Sequence, residues 1–179
     1  MGTLSRDKNP AFDFCETVYY LALRDGKIVG RIAGIINNKS NEIWNQKHAR
    51  FGFVDFIDDA EVADALFAAV ENWAKSKGMN ALHGPMGFTD MDQEGMLIEG
   101  FDQLATIATI YNFPYYPTHL DRLGYVKDQD WHEFKIYIPE KNPEKHERIS
   151  EIVKTKFGLK VLKFTRDRKS VVREECCVS

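Results

Sequence analysis

The sequence predicts an α/β domain built on a mixed central sheet with flanking helices, and three observations predict it. Residues 50–57 form a short apolar run rich in aromatic and β-branched side chains, the composition of a strand. A helix follows without a loop. Asp58 and Glu61 stand at capping-box spacing, and Val62, Leu66, Ala69, Val70 and Trp73 recur every three or four positions. Lys75 and Lys77 suit the negative end of the helix dipole, and Gly78 supplies the stop. Residues 80–83 then read as the next strand, so the unit is βαβ, with parallel strands and a right-handed crossover. Upstream, Asp25-Gly26 marks a tight turn between two apolar runs, which makes an antiparallel hairpin. A parallel unit beside an antiparallel hairpin gives a mixed sheet.

Taken in order, residues 9–14 are an irregular lead-in. Residues 15–23 read as the first strand, centred on Val18, Tyr19, Tyr20 and Leu21. Residues 27–36 return as its partner through Ile28, Val29, Ile32, Ile35 and Ile36. Gly30 and Gly34 interrupt this strand, which marks either a bulge or close approach of another group, or simply weak packing. Polar residues 37–41 form a turn, and 42–48 predict one or two helical turns with Ile43 and Trp44 packed inward. After the βαβ unit, residues 86–101 are a long loop punctuated by Gly87, Gly95 and Gly100; such loops in compact domains are often functional. Residues 103–110 fit either strand or helix. Residues 111–117 form an aromatic turn stiffened by Pro114 and Pro117, after which Thr118 caps a short helix stopped by Gly124. Residues 131–138 alternate as a strand, Pro143 opens a helix striped by Ile149, Ile152 and Val153, and 159–164 form a last strand. The expected organisation is one α/β domain over residues 1–164, with five to seven strands, and a charged, disordered tail over 165–179.

Composition sets outer bounds. The 179 residues are 44% hydrophobic and 28% charged, enough to fill one core. A net charge of −3 speaks against a nucleic-acid partner. No apolar run reaches the ~18 residues of a membrane span, and residues 1–8 hold no signal-peptide core. Cys15, Cys176 and Cys177 have neither metal-ligand spacing nor a disulfide framework, which fits a reduced cytoplasmic protein.

The order hairpin, strand, helix, strand, short helix, strand is similar to that of the GNAT superfamily of N-acetyltransferases. Residues 66–78 (Leu-Phe-Ala-Ala-Val-Glu-Asn-Trp-Ala-Lys-Ser-Lys-Gly) resemble the helix that follows the cofactor-binding strand there, and residues 119–125 resemble a late family motif of a short helix ending in Leu-Gly-aromatic. More narrowly, residues 9–12, 30–37, 56–59, 84–88 and 111–116 resemble a little-characterised bacterial branch of GNAT-like proteins. The resemblance covers residues 9–164. That branch has longer chains, so the resemblance implies a truncated portion, and ordinary GNAT domains place a strand and two helices before the hairpin, so it also implies a domain incomplete at its N-terminus.

The resemblance implies an acyl-CoA donor and an amine acceptor. The superfamily holds the pyrophosphate at a Gln/Arg-x-x-Gly-x-Gly/Ala turn ahead of the central helix. Alignment on the helix puts Asp58 at the first position, Glu61 at the first Gly and Ala63 at the last; Ala63 alone fits. Carboxylates there repel pyrophosphate, and Asp58 would occupy the backbone N–H groups the phosphate needs, so weak or no CoA binding is expected. The family's general-acid Tyr falls at Leu120, leaving Tyr111, Tyr115 and Tyr116 as substitutes, with aromatic packing the competing reading. The family Asn falls beside Asn112. Asp90, Asp92 and Glu94 lack the calcium-loop pattern; they are either solvated carboxylates or the binding site of an ammonium substrate. His83, at a strand end, is either a packed side chain or a base. Two readings stay open: a GNAT-like acyltransferase, or a non-catalytic binding or oligomerisation module that keeps the fold. A homo-oligomer is expected, through apolar sheet surface near Val18, Tyr20, Ile32 and Ile36.

Overall fold

The computed structural model describes residues 2–106, 109–138 and 140–160, and the chain divides into two compact units, Met1–Gln129 and Asp130–Ser179. The boundary expected at residue 164 lies outside the described residues.

The first unit is built on a four-stranded sheet in the order β1-β2-β3-β4. The hairpin of β1 (Cys15–Arg24) and β2 (Lys27–Asn37) turns at Asp25 and Gly26, both at positive φ, 50° and 75°. That is the conformation a two-residue hairpin turn needs, and glycine adopts it without steric cost. β3 (His48–Phe56) pairs antiparallel with β2, and β4 (Ala81–His83) pairs parallel with β3, so the sheet is mixed as expected. Five to seven strands were expected; four form among the described residues. Residues 131–138 alternate as a strand should, yet they form no strand among the described residues. Residues 161–164, most of the last expected strand, lie outside the described residues.

Helix α1 (Asn38–Ile43) begins four residues earlier than its apolar residues suggest, because the Asn37 side chain accepts from Ser40 N. That start turns Ile43 and Trp44 out to solvent rather than inward. Helix α2 (Ala60–Ser76) crosses back between β3 and β4, and buries Val62, Leu66, Phe67 and Val70 on the sheet. Gly30 and Gly34 make this contact possible. A Cβ at Gly30 would meet Leu66 Cδ1 at 2.7 Å, and one at Gly34 would meet the Trp73 ring at 2.9 Å. The glycines of β2 therefore mark close approach of α2.

That packing corrects the expected exposed surface. Ile32 and Ile36 are buried, and Val18 and Tyr20 share their face beneath α2. By strand alternation the opposite face carries Tyr19, Leu21 and Leu23, joined by Ile28 through the register shift at Ala22/Leu23, and all four are exposed. The far end of this second face is covered. Ala11, Cys15, Ile35 and Phe88 close over it, delivered by a 3₁₀ turn (Pro10–Asp13) and the loop after β4.

Helix α3 (Tyr115–Arg122) starts three residues ahead of the expected Thr118 cap and uses no side-chain cap. Pro117 is tolerated inside its first turn, where a backbone N–H has no intrahelical acceptor anyway. In the second unit, α4 (Glu144–Phe157) follows Pro143 and ends at Gly158, at φ 61°. No helix among the described residues is long and apolar enough to cross a membrane.

Candidate functional site

Polar side chains gather at two places along β3. The first is its C-terminal end, where α3 docks. The register of β2 and β3 steps from Arg31↔Asp55 to Ala33↔Gly52, so Phe53 and Val54 share one partner position, and Phe53 takes a φ of 48°. This bulge aims the residues after it. The Tyr116 hydroxyl donates to Asp55 Oδ1 and accepts from Phe56 N at 3.2 Å. The Tyr115 hydroxyl donates to the Phe56 carbonyl at 2.6 Å. One turn later, His119 Nε2 meets Asp58 Oδ1 at 2.9 Å, and Arg122 donates to Asp64 at 2.6 Å and to the Ala60 carbonyl at 3.2 Å. Burial first, then the hydrogen bond to Asp55, raises the Tyr116 hydroxyl well above its ordinary value. Burial, with Asp55 and Asp58 nearby, raises Tyr115 as well. These tyrosines pin α3 to β3 and hold their protons.

Sequence reasoning missed Asp55, His119 and Arg122 as members of this cluster. A signal existed for two of them. Asp55 is the one acid inside β3, and His119 follows Tyr115 and Tyr116 at helical spacing.

The second gathering lies about five residues back along β3, roughly 15 Å away. β3 and β4 run together for three pairs, His48↔Ala81 to Arg50↔His83, and the regular pairing ends there. The chain after β4 crosses tight against β3. Met86 N donates to the Phe51 carbonyl at 2.8 Å, and a Cβ at Gly52 would run into the Met86 carbonyl oxygen. Arg50 donates to the carbonyls of Gly87 and Phe88 at 3.2 and 3.0 Å, which anchors the loop. Asp92 completes it by accepting from Phe88 N at 2.8 Å and Thr89 N at 3.2 Å. Asp92 is thus a loop cap, while Asp90 stays exposed and Glu94 half-buried. Burial pushes the Glu94 carboxyl above its ordinary range, and Asp90 adds to the rise against the opposing pull of Arg50 and His83. His83 Nε2 itself meets Asp128 Oδ2 at 3.0 Å. Asp90 and His83 therefore lie within electrostatic reach of Glu94, while Tyr115 and Tyr116 hold the other end of β3.

Asn112 is buried in a structural role: its Oδ1 accepts from Leu97 N at 2.6 Å and its Nδ2 donates to the Leu97 carbonyl at 3.1 Å, tying the loop to the aromatic turn. Tyr111 is exposed and reaches the Phe101 carbonyl at 3.4 Å. Cys15 is buried, and that burial pushes its thiol up to about 11, which suits packing rather than nucleophilic chemistry.

The start of α2 differs from the expected arrangement in one residue. Asp59, not Asp58, is the N-cap, and its Oδ1 accepts from Val62 N at 3.1 Å. Asp58 turns instead to His119. Arg24 bridges Asp59 at 2.7 Å and Glu61 at 3.0 Å. Its guanidinium and the Val62 N–H hold the Asp59 carboxyl down at about 2. Ala63 is fully buried, and its N–H donates to the Asp59 carbonyl at 3.1 Å. The helix N-terminus is closed by its own side chains.

No family model matches the chain, and no solved structure matches it. The chain is 37% identical to Protein YghO of Escherichia coli (strain K12) over 123 residues, which is 69% of this chain and 32% of that protein. It is 30% identical to a bacterial ceramide synthase of Caulobacter vibrioides (strain NA1000 / CB15N) over 133 residues, 74% of this chain and 35% of that protein. The chain spans about a third of the length of these curated relatives, and over that third it is similar to both.

Proposed function

We propose that this chain is a GNAT-like, acyltransferase-related domain whose loop after β4 receives an amine for acylation by an acyl-CoA. The observation that carries the reading is the half-buried Glu94, within electrostatic reach of Asp90 and His83, on the loop that follows the end of the parallel pair β3–β4. Open α/β sheets bind ligands where parallel strands end. An amine arrives as an ammonium and attacks only after losing a proton. A carboxylate with a raised pKa takes that proton more readily than an ordinary one, and Asp90 adds charge that attracts the cation. The new N–C bond forms as the C–S bond of the thioester breaks, and the departing thiolate takes up a proton. The element order and the similarity to a protein named as a bacterial ceramide synthase support the reading.

The test is release of free CoA thiol by the full chain with an acyl-CoA and a panel of primary amines, long-chain amino alcohols among them. Amine-dependent release is expected, and Glu94→Gln should lower it by about 10²–10⁴-fold, the usual worth of a positioned base. Thiol release that no amine accelerates would sink the proposal.

One observation favours a second reading, a non-catalytic module that keeps the fold: Asp59, Glu61 and Arg24 close the α2 N-terminus that the superfamily uses for pyrophosphate. Calorimetric titration of the unmodified chain with CoA and acetyl-CoA is expected to show no micromolar binding. Asp59→Gly with Glu61→Gly frees the Val62 N–H and should raise CoA affinity while lowering the melting temperature. Micromolar binding that this double change weakens would place the cofactor at the turn and remove the second reading.

A further inference from the structure

The geometry points to a homodimer in which two copies of this chain pair edge to edge through β1, antiparallel about a two-fold axis at Tyr20. Among the described residues β1 is the outer strand of the sheet, paired on one side by β2. It is ten residues long, and positions 17–23, Thr-Val-Tyr-Tyr-Leu-Ala-Leu, contain no charge and no proline. Solitary edges are blunted by an inward charge, a proline, a bulge or short length; this run has no charge and no proline, and its one register shift, at Ala22/Leu23, places the extra residue on β2. A long uncharged edge of this kind is a template for another strand.

Charge then selects the partner and the register. The only charged residues of β1 are Glu16 and Arg24, each four positions from Tyr20. Antiparallel pairing of two β1 strands with Tyr20 facing Tyr20 sets Glu16 of one copy against Arg24 of the other, twice. Both lie on the α2 side of the sheet, since Glu16 meets Lys77 just past the end of α2 at 2.8 Å and Arg24 meets Asp59 and Glu61 at its start. The same register sets Tyr19 against Leu21 and Thr17 against Leu23 on the opposite face, where Tyr19, Leu21 and Leu23 are now exposed. Directly opposed residues on one face are the unit of sheet stabilisation, and in this register Glu16 faces Arg24, Val18 faces Ala22 and Tyr19 faces Leu21, with no like charges opposed. A self-complementary edge closes after two copies, joining two four-stranded sheets into one of eight strands.

Sedimentation equilibrium of the full chain between about 1 and 100 µM, a range that spans typical weak-to-moderate association, tests this, with circular dichroism to confirm that each variant is folded. The wild-type chain should show twice the monomer mass. Leu21→Lys, at an exposed position, should shift it to monomer, and Arg24→Glu should weaken the dimer several-fold. Arg24→Glu combined with Glu16→Arg should restore it, because the crossed pairs re-form with their signs exchanged. A monomer at the highest concentration overturns the proposal, as does a dimer indifferent to Leu21→Lys or a double variant no tighter than Arg24→Glu alone.

Discussion

Phe67→Ala is expected to lower the unfolding free energy by about 3–5 kcal/mol, the cost of removing a fully buried aromatic ring. Phe67 has no solvent exposure and sits midway along the buried stripe of α2. Its ring meets Phe51 at 5.1 Å, Tyr125 at 5.4 Å and Phe56 at 6.3 Å between centroids, all at edge-on angles. The alanine removes dispersion contacts with three rings at once. β3 holds two of them, and its hydrogen-bonded pairing to β2 keeps it from moving inward to fill the space. Domains of this size are stable by roughly 5–15 kcal/mol in total, so the variant should be close to unfolding at physiological temperature. Urea denaturation followed by circular dichroism checks this against Ile43→Ala, an exposed apolar control. A loss below about 1 kcal/mol would mean that α2 does not seal the core as described.

Gly52→Ala is expected to cost at least about 3 kcal/mol, the upper end of overpacking penalties. The added methyl would collide with the Met86 carbonyl oxygen, and Met86 is itself held by its N–H bond to the Phe51 carbonyl. A flexible side chain could rotate away, but two backbones cannot. Gly84 faces the same limit from the other side, where a Cβ would collide with the Phe51 carbonyl. Whichever backbone yields, the loop that carries Asp90, Asp92 and Glu94 shifts with it. Both the melting temperature and any amine-dependent thiol release should therefore fall in the same variant. An unchanged melting temperature, within about 2 °C, would contradict the close crossing of β3 by the loop.

Much of the fold was legible in the sequence, and the reason is local. The hairpin turn follows from Asp25-Gly26, because positive φ at both central residues is a property of those two residues and their neighbours. Helix α2 follows from apolar spacing, an acidic start and Gly78, all within one short stretch, and the observed Ala60–Ser76 falls within the expected helix. The cap was misread by one residue because Asp58 and Asp59 offer the same carboxylate one position apart. What separates them is distant: His119 draws Asp58, and Arg24 fixes Asp59. The candidate site was legible in pieces for the same reason. Glu94, Asp90 and His83 were visible as types, but that Asp92 would cap its own loop and Asn112 would bind Leu97 depended on where the loop came to rest.

By itself, then, the sequence determined the identity and order of the main elements of the first unit, a mixed sheet, and an acidic, carboxylate-capped start to α2. These depend on interactions within about a turn of helix or a hairpin, and such interactions are written in neighbouring residues. The tertiary structure alone decided which sheet face α2 covers, which carboxylate each cation meets, and that Asp92 closes its own loop. Partners such as Arg24 with Asp59, or Tyr116 with Asp55, stand dozens of residues apart and meet only once the sheet has fixed its register. No local pattern encodes a contact whose two halves are positioned by different elements.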